Sequence, residues 1–245
     1  MTAGADAPVT VNTGRTRLHA YRDGDPWAWA AAVAISAALR RELQERPRAR
    51  LLLSGGHSPA PVLRALSQAP LEWSRIDVAL VDERWLLPSD SDSNAHLVRT
   101  HLLQHHAAAA RFEPLTHPGR SIEDAVSTAN LHARQPAAVA VLGMGEDGHT
   151  ASLFPHMRGL AAALDSDNAY VAVNAAGCPG AGPWPRRISL TPAGLAPATT
   201  RLLLIRGKAK RALFERALEG EDATELPVRI AFTTPGATLQ VYWCP

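Results

Sequence analysis

The sequence of 245 residues is poor in cysteine and lysine, and it has no long apolar run and no linker rich in glycine and serine. Its two cysteines, Cys178 and Cys244, lack metal-ligand spacing and argue against a disulfide framework. Free thiols are typical of a reducing compartment, so we expect a cytoplasmic protein. No apolar run approaches the roughly 18 residues of a membrane helix, and the first residues lack a signal-peptide pattern. We therefore expect no membrane association.

The charge pattern limits the classes of partner that the protein can bind. The formal net charge is only +2, Lys208 and Lys210 are the only lysines, and no basic stripe is interleaved with aromatic residues. This argues against a nucleic-acid partner.

The ten histidines include no His-Glu-x-x-His motif and no other ligand spacing, so we expect neither a metal nor a cofactor. We expect a monomer or a weak homodimer.

The order of apolar and amphipathic segments predicts an α/β fold. We expect one domain over residues 1–245, with residues 1–13 flexible. Because solidly apolar strands alternate with helices, we predict an open, mostly parallel, doubly wound sheet with helices on both faces. The predicted strands are 50–53, 76–81, 137–142, 170–173, 187–190 and 200–205, with 228–232 and 238–243 strand-like or turn-like. The predicted helices are 27–43, one starting at 58–59, 94–104, 121–134 and 208–218.

Polar or glycine-rich segments follow four of these strands, at residues 54–59, 82–94, 143–152 and 207–210. The carboxyl ends of parallel strands lie at one edge of a sheet, where ligands bind in open α/β folds. We therefore expect the four segments to converge on one site.

The segment 142–155 carries the most specific chemistry. Its glycines at 143, 145 and 148 match the dinucleotide fingerprint by letter, but Pro155 comes too soon for the full helix which that fingerprint opens. His149 follows a glycine-rich strand end and can exchange a proton near neutral pH. Asp147, two residues earlier, can orient the ring and stabilise its charged form. We predict that His149 and Asp147 are the catalytic pair.

The other segments are individually weaker. Gly55 and Gly56 belong to a strand–loop–helix turn that is either an ordinary tight connection or an anion cradle of backbone N–H groups. The acidic residues at 82 and 83 are either a solvated charge cluster or an acid–base pair, although neighbouring strand residues point to opposite faces. Arg84 can clamp a phosphate or carboxylate. Arg187 and Lys210 add positive charge at the same edge.

Taken together and in order, these motifs resemble the glucosamine-6-phosphate isomerase/6-phosphogluconolactonase family, and within it the lactonase branch. The resemblance covers nearly the whole chain and rests on residues 53–56, 81–85 with 88 and 92–94, 142–155, 187–191 and 207–210. Two features depart from the family pattern. The first loop continues His57-Ser58-Pro59 where Ser-Thr-Pro is usual, and the usual late Asp-x-x-Ala is missing.

The resemblance implies a metal-free hydrolase that opens a phosphorylated sugar lactone. It implies that His149 is the base, that Asp147 is its partner and that Gly55, Gly56, Arg84, Asn94, Arg187 and Lys210 bind substrate. A deaminase like glucosamine-6-phosphate isomerase is the nearest alternative, but its motif reads on from Gly-His to a carboxylate that Thr150–Pro155 lacks. A non-catalytic sugar-phosphate sensor is the other alternative, and it would not need the Asp147–His149 pair.

Overall fold

The computed structural model describes residues 9–56 and 58–245, and for residues 9–13 the backbone. Residues 1–8 and His57 lie outside the described part. Of residues 1–13, which were expected to be flexible, the first eight therefore lie outside the described part. The last five, Val9–Thr13, form a strand paired with Thr16–Ala20.

The strands follow one another along the chain with helices between most of them. The strands are β1 (Val9–Thr13), β2 (Thr16–Ala20), β3 (Ala49–Leu53), β4 (Ile76–Leu80), β5 (Asp82–Arg84), β6 (Arg111–Glu113), β7 (Val139–Gly143), β8 (Tyr170–Asn174), β9 (Arg186–Leu190), β10 (Thr200–Arg206) and β11 (Leu239–Cys244). The α-helices are α1 (Gly24–Glu45), α2 (Ala60–Ser67), α3 (Asn94–His101), α4 (Ile122–His132), α5 (Leu160–Leu164), α6 (Pro192–Leu195), α7 (Lys208–Leu218) and α8 (Ile230–Thr233). Short 3-10 helices span Trp73–Arg75, His105–Ala109, Pro179–Ala181 and Pro227–Arg229.

The main sheet confirms the predicted fold class. Among the described residues it has eight strands in the order β1-β2-β11-β10-β7-β3-β4-β6, and every neighbouring pair except β1–β2 is parallel. Strand β3 is buried at every residue, as are Val139–Leu142 of β7. Strands covered on both faces lose the polar–apolar alternation, which is why these runs are so uniformly apolar.

The direction of the crossovers changes in the middle of this sheet. From β3 the chain moves through α2 to β4 and then through α3 to β6, towards one edge. From β7 it moves through β10 and α7 to β11, towards the other edge. Because such crossovers are right-handed, the two sets of connections lie on opposite faces of the sheet. The loops after β3 and β7 thus diverge at a topological switch point, where open α/β sheets bind ligands.

A second, antiparallel sheet of three strands, in the order β5-β9-β8, lies beyond the end of β4. The strands predicted at 170–173 and 187–190 are present, but they belong to this sheet. Its join to the main sheet is direct, because the Leu190 N–H donates to the Val81 carbonyl at 2.8 Å and the Tyr170 hydroxyl donates to the Leu80 carbonyl at 2.7 Å. This arrangement brings Arg187, in β9, beside Arg84, in β5.

One predicted segment has a different structure. Residues 228–232 are helical, within the 3-10 turn at Pro227–Arg229 and α8. The apolar run is too short for its periodicity to separate strand from helix. Here the Val228 N–H donates to the Gly148 carbonyl at 2.9 Å, so this turn packs under the glycine-rich segment. The segment 238–243 is confirmed as β11.

The core lies between the main sheet and its helices. The apolar face of α1 is confirmed, since Ala31, Ile35, Leu39 and Leu43 are buried. Within the described residues, no helix combines the length and the apolar character that crossing a bilayer requires.

Candidate active site

A cavity of about 260 Å³ opens at the carboxyl ends of β3, β4, β7 and β10. All four segments predicted to converge contribute to its wall. Of the eight residues predicted to form the site, seven line it: Gly55, Gly56, Arg84, Asn94, His149, Arg187 and Lys210. Asp147 is the exception, because it contacts the His149 ring from behind rather than facing the cavity.

The histidine and the aspartate are directly paired. His149 Nδ1 lies 2.5 Å from Asp147 Oδ1, and the same oxygen accepts the His149 backbone N–H at 3.1 Å. The His149 side chain is 22% exposed and that of Asp147 32%, so the pair is shielded but still reached by solvent.

This contact determines which ring nitrogen is available. Burial opposes ionisation of Asp147, but the hydrogen bonds from His149 outweigh it and hold the pKa of that carboxyl below its usual value. An ionised carboxylate can only accept hydrogen bonds. Nδ1 must therefore carry the proton in the neutral ring, which leaves the lone pair on Nε2. The neutral ring can consequently act as a base at Nε2.

The glycine-rich turn is built around this ring. The Gly145 N–H donates to the His149 carbonyl at 2.9 Å, and Phe154 packs against the imidazole with ring centroids 4.3 Å apart. A Cβ on Gly145 would lie 2.1 Å from His149 Nδ1, so this glycine makes room for the ring. No helix follows Gly148 directly, since α5 starts only at Leu160. The turn therefore lacks the helix of a dinucleotide fingerprint.

The first glycine-rich loop lies against Asn94. A Cβ on Gly55 would lie 1.8 Å from Asn94 Oδ1, so the two residues fit only because Gly55 has no side chain. Asn94 Nδ2 donates to the Asp82 carbonyl at 2.8 Å, which fixes the amide at the cavity wall. Gly56 has a φ of +92°, a backbone conformation that favours glycine.

Glu83 holds Asn94 in place and was not predicted as a site residue. It is fully buried, and its carboxylate accepts the backbone N–H groups of Arg84, Asn94 and Ala95, each at 2.8 Å. Burial raises the pKa of Glu83 to about 7, although these three hydrogen bonds act in the opposite direction. The carboxylate thus joins β5 to the amino end of α3. It is neither solvated nor directed at the cavity.

The predicted cationic side chains differ in how many of their hydrogen-bond donors already bind protein carbonyl groups. Arg84 Nη1 donates to the Asp92 carbonyl, while its Nε is buried without a partner. Arg187 is 4% exposed and donates to the carbonyls of Trp184 and Ala181 at 2.8 and 2.6 Å. Arg84 is therefore the arginine with more hydrogen-bonding capacity left for a ligand.

Lys210 lies at the start of α7 and reaches back to the glycine-rich turn. Its Nζ donates to the Met144 carbonyl at 2.7 Å. Burial lowers the pKa of Lys210, against the opposing effect of the carboxylates of Glu146 and Asp147. The ammonium group thus lies on the same side of the cavity as Asp147 and His149.

A buried polar network closes the floor of the cavity and was also missed. Ser152 Oγ donates to Asp82 Oδ2 at 2.6 Å, and Arg187 Nη1 lies 3.4 Å from the same hydroxyl. Asp82 is 5% exposed, so this carboxylate is also no part of a solvated cluster. In the described part of the chain, no group of three or more His, Cys, Asp or Glu side chains could hold a metal ion.

Known proteins resemble this chain in both sequence and fold. The family described as glucosamine-6-phosphate isomerases/6-phosphogluconolactonase matches residues 22–243. A 6-phosphogluconolactonase of Xylella fastidiosa is 50% identical over 239 residues, covering 96% of this chain and 99% of that protein. One of Pseudomonas aeruginosa is 44% identical, covering 87% and 89%. The crystal structure of a 6-phosphogluconolactonase from Shewanella baltica superimposes with a TM-score of 0.87 at 30% identity, covering 95% and 99%.

Proposed function

This chain belongs to the glucosamine-6-phosphate isomerase/6-phosphogluconolactonase family, and we propose that it opens 6-phospho-D-glucono-1,5-lactone to 6-phospho-D-gluconate with His149 as the general base. The enzyme is a lactone hydrolase, and this reaction is the lactone-opening step of the oxidative pentose phosphate pathway. The observation that carries the mechanism is the Asp147–His149 contact of 2.5 Å on the wall of a cavity that also contains three cationic side chains.

The first chemical step is the attack of water on the lactone. Nε2 of neutral His149 takes a proton from a water molecule, whose oxygen forms a bond to C1 of the lactone. Asp147 stabilises the imidazolium that results, because the carboxylate and the charged ring attract each other. The carbonyl electrons of C1 move to its oxygen, which becomes an oxyanion.

The second step breaks the ring. When the C1–oxygen double bond forms again, the bond between C1 and the ring oxygen breaks, and the imidazolium returns its proton to that oxygen as it becomes a hydroxyl group. Backbone N–H groups of Gly55 and Gly56, together with a cationic side chain, are proposed to stabilise the oxyanion. Donors of this kind are worth roughly 3–4 kcal/mol each in other enzymes.

The phosphate anchors the substrate at a distance from the broken bond. Arg84 is the proposed principal contact, because it lines the cavity and donates to one protein carbonyl where Arg187 donates to two, and Arg187 and Lys210 supply further positive charge. Asn94 is proposed to bind sugar hydroxyl groups. Binding energy from the remote phosphate can hold the lactone in the orientation that the attack requires.

We propose a cytoplasmic location as well. Both cysteines are free thiols, and Cys244 is buried. The phosphorylated sugar lactone is the proposed small-molecule partner, with the chain acting as a monomer or weak homodimer.

The test is a coupled assay in which the lactone is generated in situ and acid release is compared with the spontaneous rate. The wild-type protein should accelerate the release, and His149→Ala should lower kcat by orders of magnitude while still binding 6-phosphogluconate. Near-normal turnover by His149→Ala would remove His149 from its role. A parallel reaction with glucosamine 6-phosphate should release no ammonia, and ammonia release would favour the deaminase. Binding without any acceleration would favour a sensor.

A further inference from the structure

The loop between β8 and β9 passes beside the proposed catalytic pair, and its residue Gly180 lines the cavity. We call residues 178–184 of this loop the strap. A Cβ on Gly180 would lie 2.5 Å from Asp147 Oδ2 and 3.3 Å from His149 Nδ1. Gly180 is not among the glycines with positive φ, so its backbone conformation would accept any residue. What requires a glycine here is the closeness of Asp147.

The strap is held in one shape from both ends. The Ala175 N–H donates to the Pro185 carbonyl at 2.9 Å and closes the base of the loop. Arg187 donates through Nη2 to the Ala181 carbonyl at 2.6 Å and through Nε to the Trp184 carbonyl at 2.8 Å. Because the buried Arg187 binds two carbonyl groups of the strap, it fixes the position and orientation of the strap relative to β9.

Trp184 ties the strap to the loop between β5 and α3. Its indole Nε1 donates to Asp92 Oδ2 at 3.0 Å. The backbone carbonyl of the same Asp92 accepts the hydrogen bond from Arg84 Nη1. Asp92 therefore contacts both the strap and the arginine proposed to bind the phosphate.

We infer that Gly180 and Trp184 are positioning residues for the reaction: the strap confines the Asp147 carboxylate to the side of His149, and the Trp184–Asp92 hydrogen bond keeps the strap in register with Arg84. Each acts through another side chain, Gly180 through Asp147 and Trp184 through Asp92. The inference rests on the proposed function for its kinetic consequences, but the confinement of Asp147 is a property of the protein that can be measured without any substrate.

The first experiment measures that confinement. In the full-length protein, the proton on His149 Nδ1 should give a downfield NMR resonance because a carboxylate accepts its hydrogen bond, and loss of the signal in His149→Ala would identify it. Gly180→Ala should abolish or strongly shift this resonance, since the added methyl group displaces Asp147. An unchanged resonance in folded Gly180→Ala would overturn the inference. This readout is independent of whether the protein hydrolyses a lactone.

The second experiment measures the kinetic effect. Trp184→Phe removes the indole donor but keeps an aromatic ring, and Asp92→Ala removes the acceptor. Each should lower kcat about 10-fold, the order expected for one lost hydrogen bond, with KM within about twofold because the Asp92 carbonyl is retained. Gly180→Ala should lower kcat about 100-fold, as for a displacement of the base of about 1 Å.

Conservative and remote variants separate positioning from general loss of stability. Asp92→Asn keeps an oxygen acceptor for the indole and should restore near-wild-type kcat. Trp29→Phe, in a side chain 60% exposed on α1, should leave kcat and the resonance unchanged. The double variant Trp184→Phe/Asp92→Ala should be no slower than either single variant. Additive losses, or equal losses in Asp92→Asn and Asp92→Ala, would contradict the proposed hydrogen bond.

Discussion

Replacing Asp147 by asparagine tests the centre of the proposed mechanism with little change of shape. The variant removes the ionised acceptor of the 2.5 Å hydrogen bond to His149 Nδ1 and keeps a side chain of the same size. Asparagine can also present its amide N–H to Nδ1, which would move the ring proton to Nε2. The nitrogen that faces the substrate would then have no free lone pair.

The expected decrease in kcat follows from the strength of the Asp147–His149 hydrogen bond. A hydrogen bond to a charged group is worth about 1.5–3 kcal/mol, and about 1.4 kcal/mol in the barrier is a factor of ten. The range is therefore about 10- to 150-fold in kcat. Because the Asp147 side chain is 32% exposed and partly screened by solvent, we expect about 20-fold from this contact, in the lower part of that range, and more if the ring proton moves. KM should change little, because Asp147 does not line the cavity.

The assay is the coupled lactone assay at saturating substrate, with Asp167→Asn as the matched control. Asp167 is exposed and lies outside the cavity, so its replacement should leave kcat unchanged. Wild-type turnover by Asp147→Asn would refute the role of the carboxylate, and an equal fall in the control would show a non-specific effect.

Stability provides a second readout of the same contact. The pKa of Asp147 is held below its usual value, so ionised Asp147 stabilises the folded state above the unfolded-state pKa. The wild-type protein should therefore have a larger free energy of unfolding than Asp147→Asn at neutral pH. This difference should disappear as the pH falls below about 4, when Asp147 becomes protonated.

Three further predictions concern residues of the cavity wall and the buried carboxyl group of Glu83 that supports it. Arg84→Ala should raise KM and weaken inhibition by inorganic phosphate at least 10-fold, whereas Arg216→Ala, at the far end of α7, should do neither; unchanged phosphate inhibition would contradict the clamp. Gly55→Ala should destabilise the protein and raise KM because its Cβ would overlap Asn94 Oδ1, and adding Asn94→Ala should recover stability in thermal unfolding; strictly additive losses would show that the two side chains do not collide. Burial raises the pKa of Glu83 to about 7, so its ionisation should lower the free energy of unfolding of the wild type as the pH rises from about 4.5 to 7, and Glu83→Gln should show a flatter dependence in denaturant titrations; equal slopes would exclude Glu83 as the titrating group.

The central strands β3, β7 and β10 and the contact between Asp147 and His149 could be predicted because local sequence determines them. Fully buried parallel strands require uniformly apolar runs, and such runs mark β3, β7 and β10 directly. The glycine-rich sequence before His149 likewise reflects local packing, since a side chain on Gly145 would collide with the His149 imidazole. These requirements act within a few residues and are therefore visible in the sequence.

Strands β8 and β9 were predicted, but their pairing with β5 in a separate sheet and the supporting residues could not be, because distant contacts decide them. Strand β5 consists of three charged residues that resemble a loop, and it is a strand only because β9 lies beside it. Glu83 is buried because the amino end of α3 supplies backbone N–H groups eleven and twelve positions away. Gly180 reaches Asp147 across 33 positions, and nothing near either residue indicates the contact.

The position of the cavity at the switch point has a consequence for folding. Its wall joins residues that lie far apart in the chain, from Gly55 after β3 to Lys210 after β10, and no single hairpin or βαβ unit contains them all. Contacts of such long range form only after the entropic cost of closing large loops has been met. Helical circular dichroism during refolding should therefore return before activity, and regained turnover would report that β3, β7 and β10 are side by side.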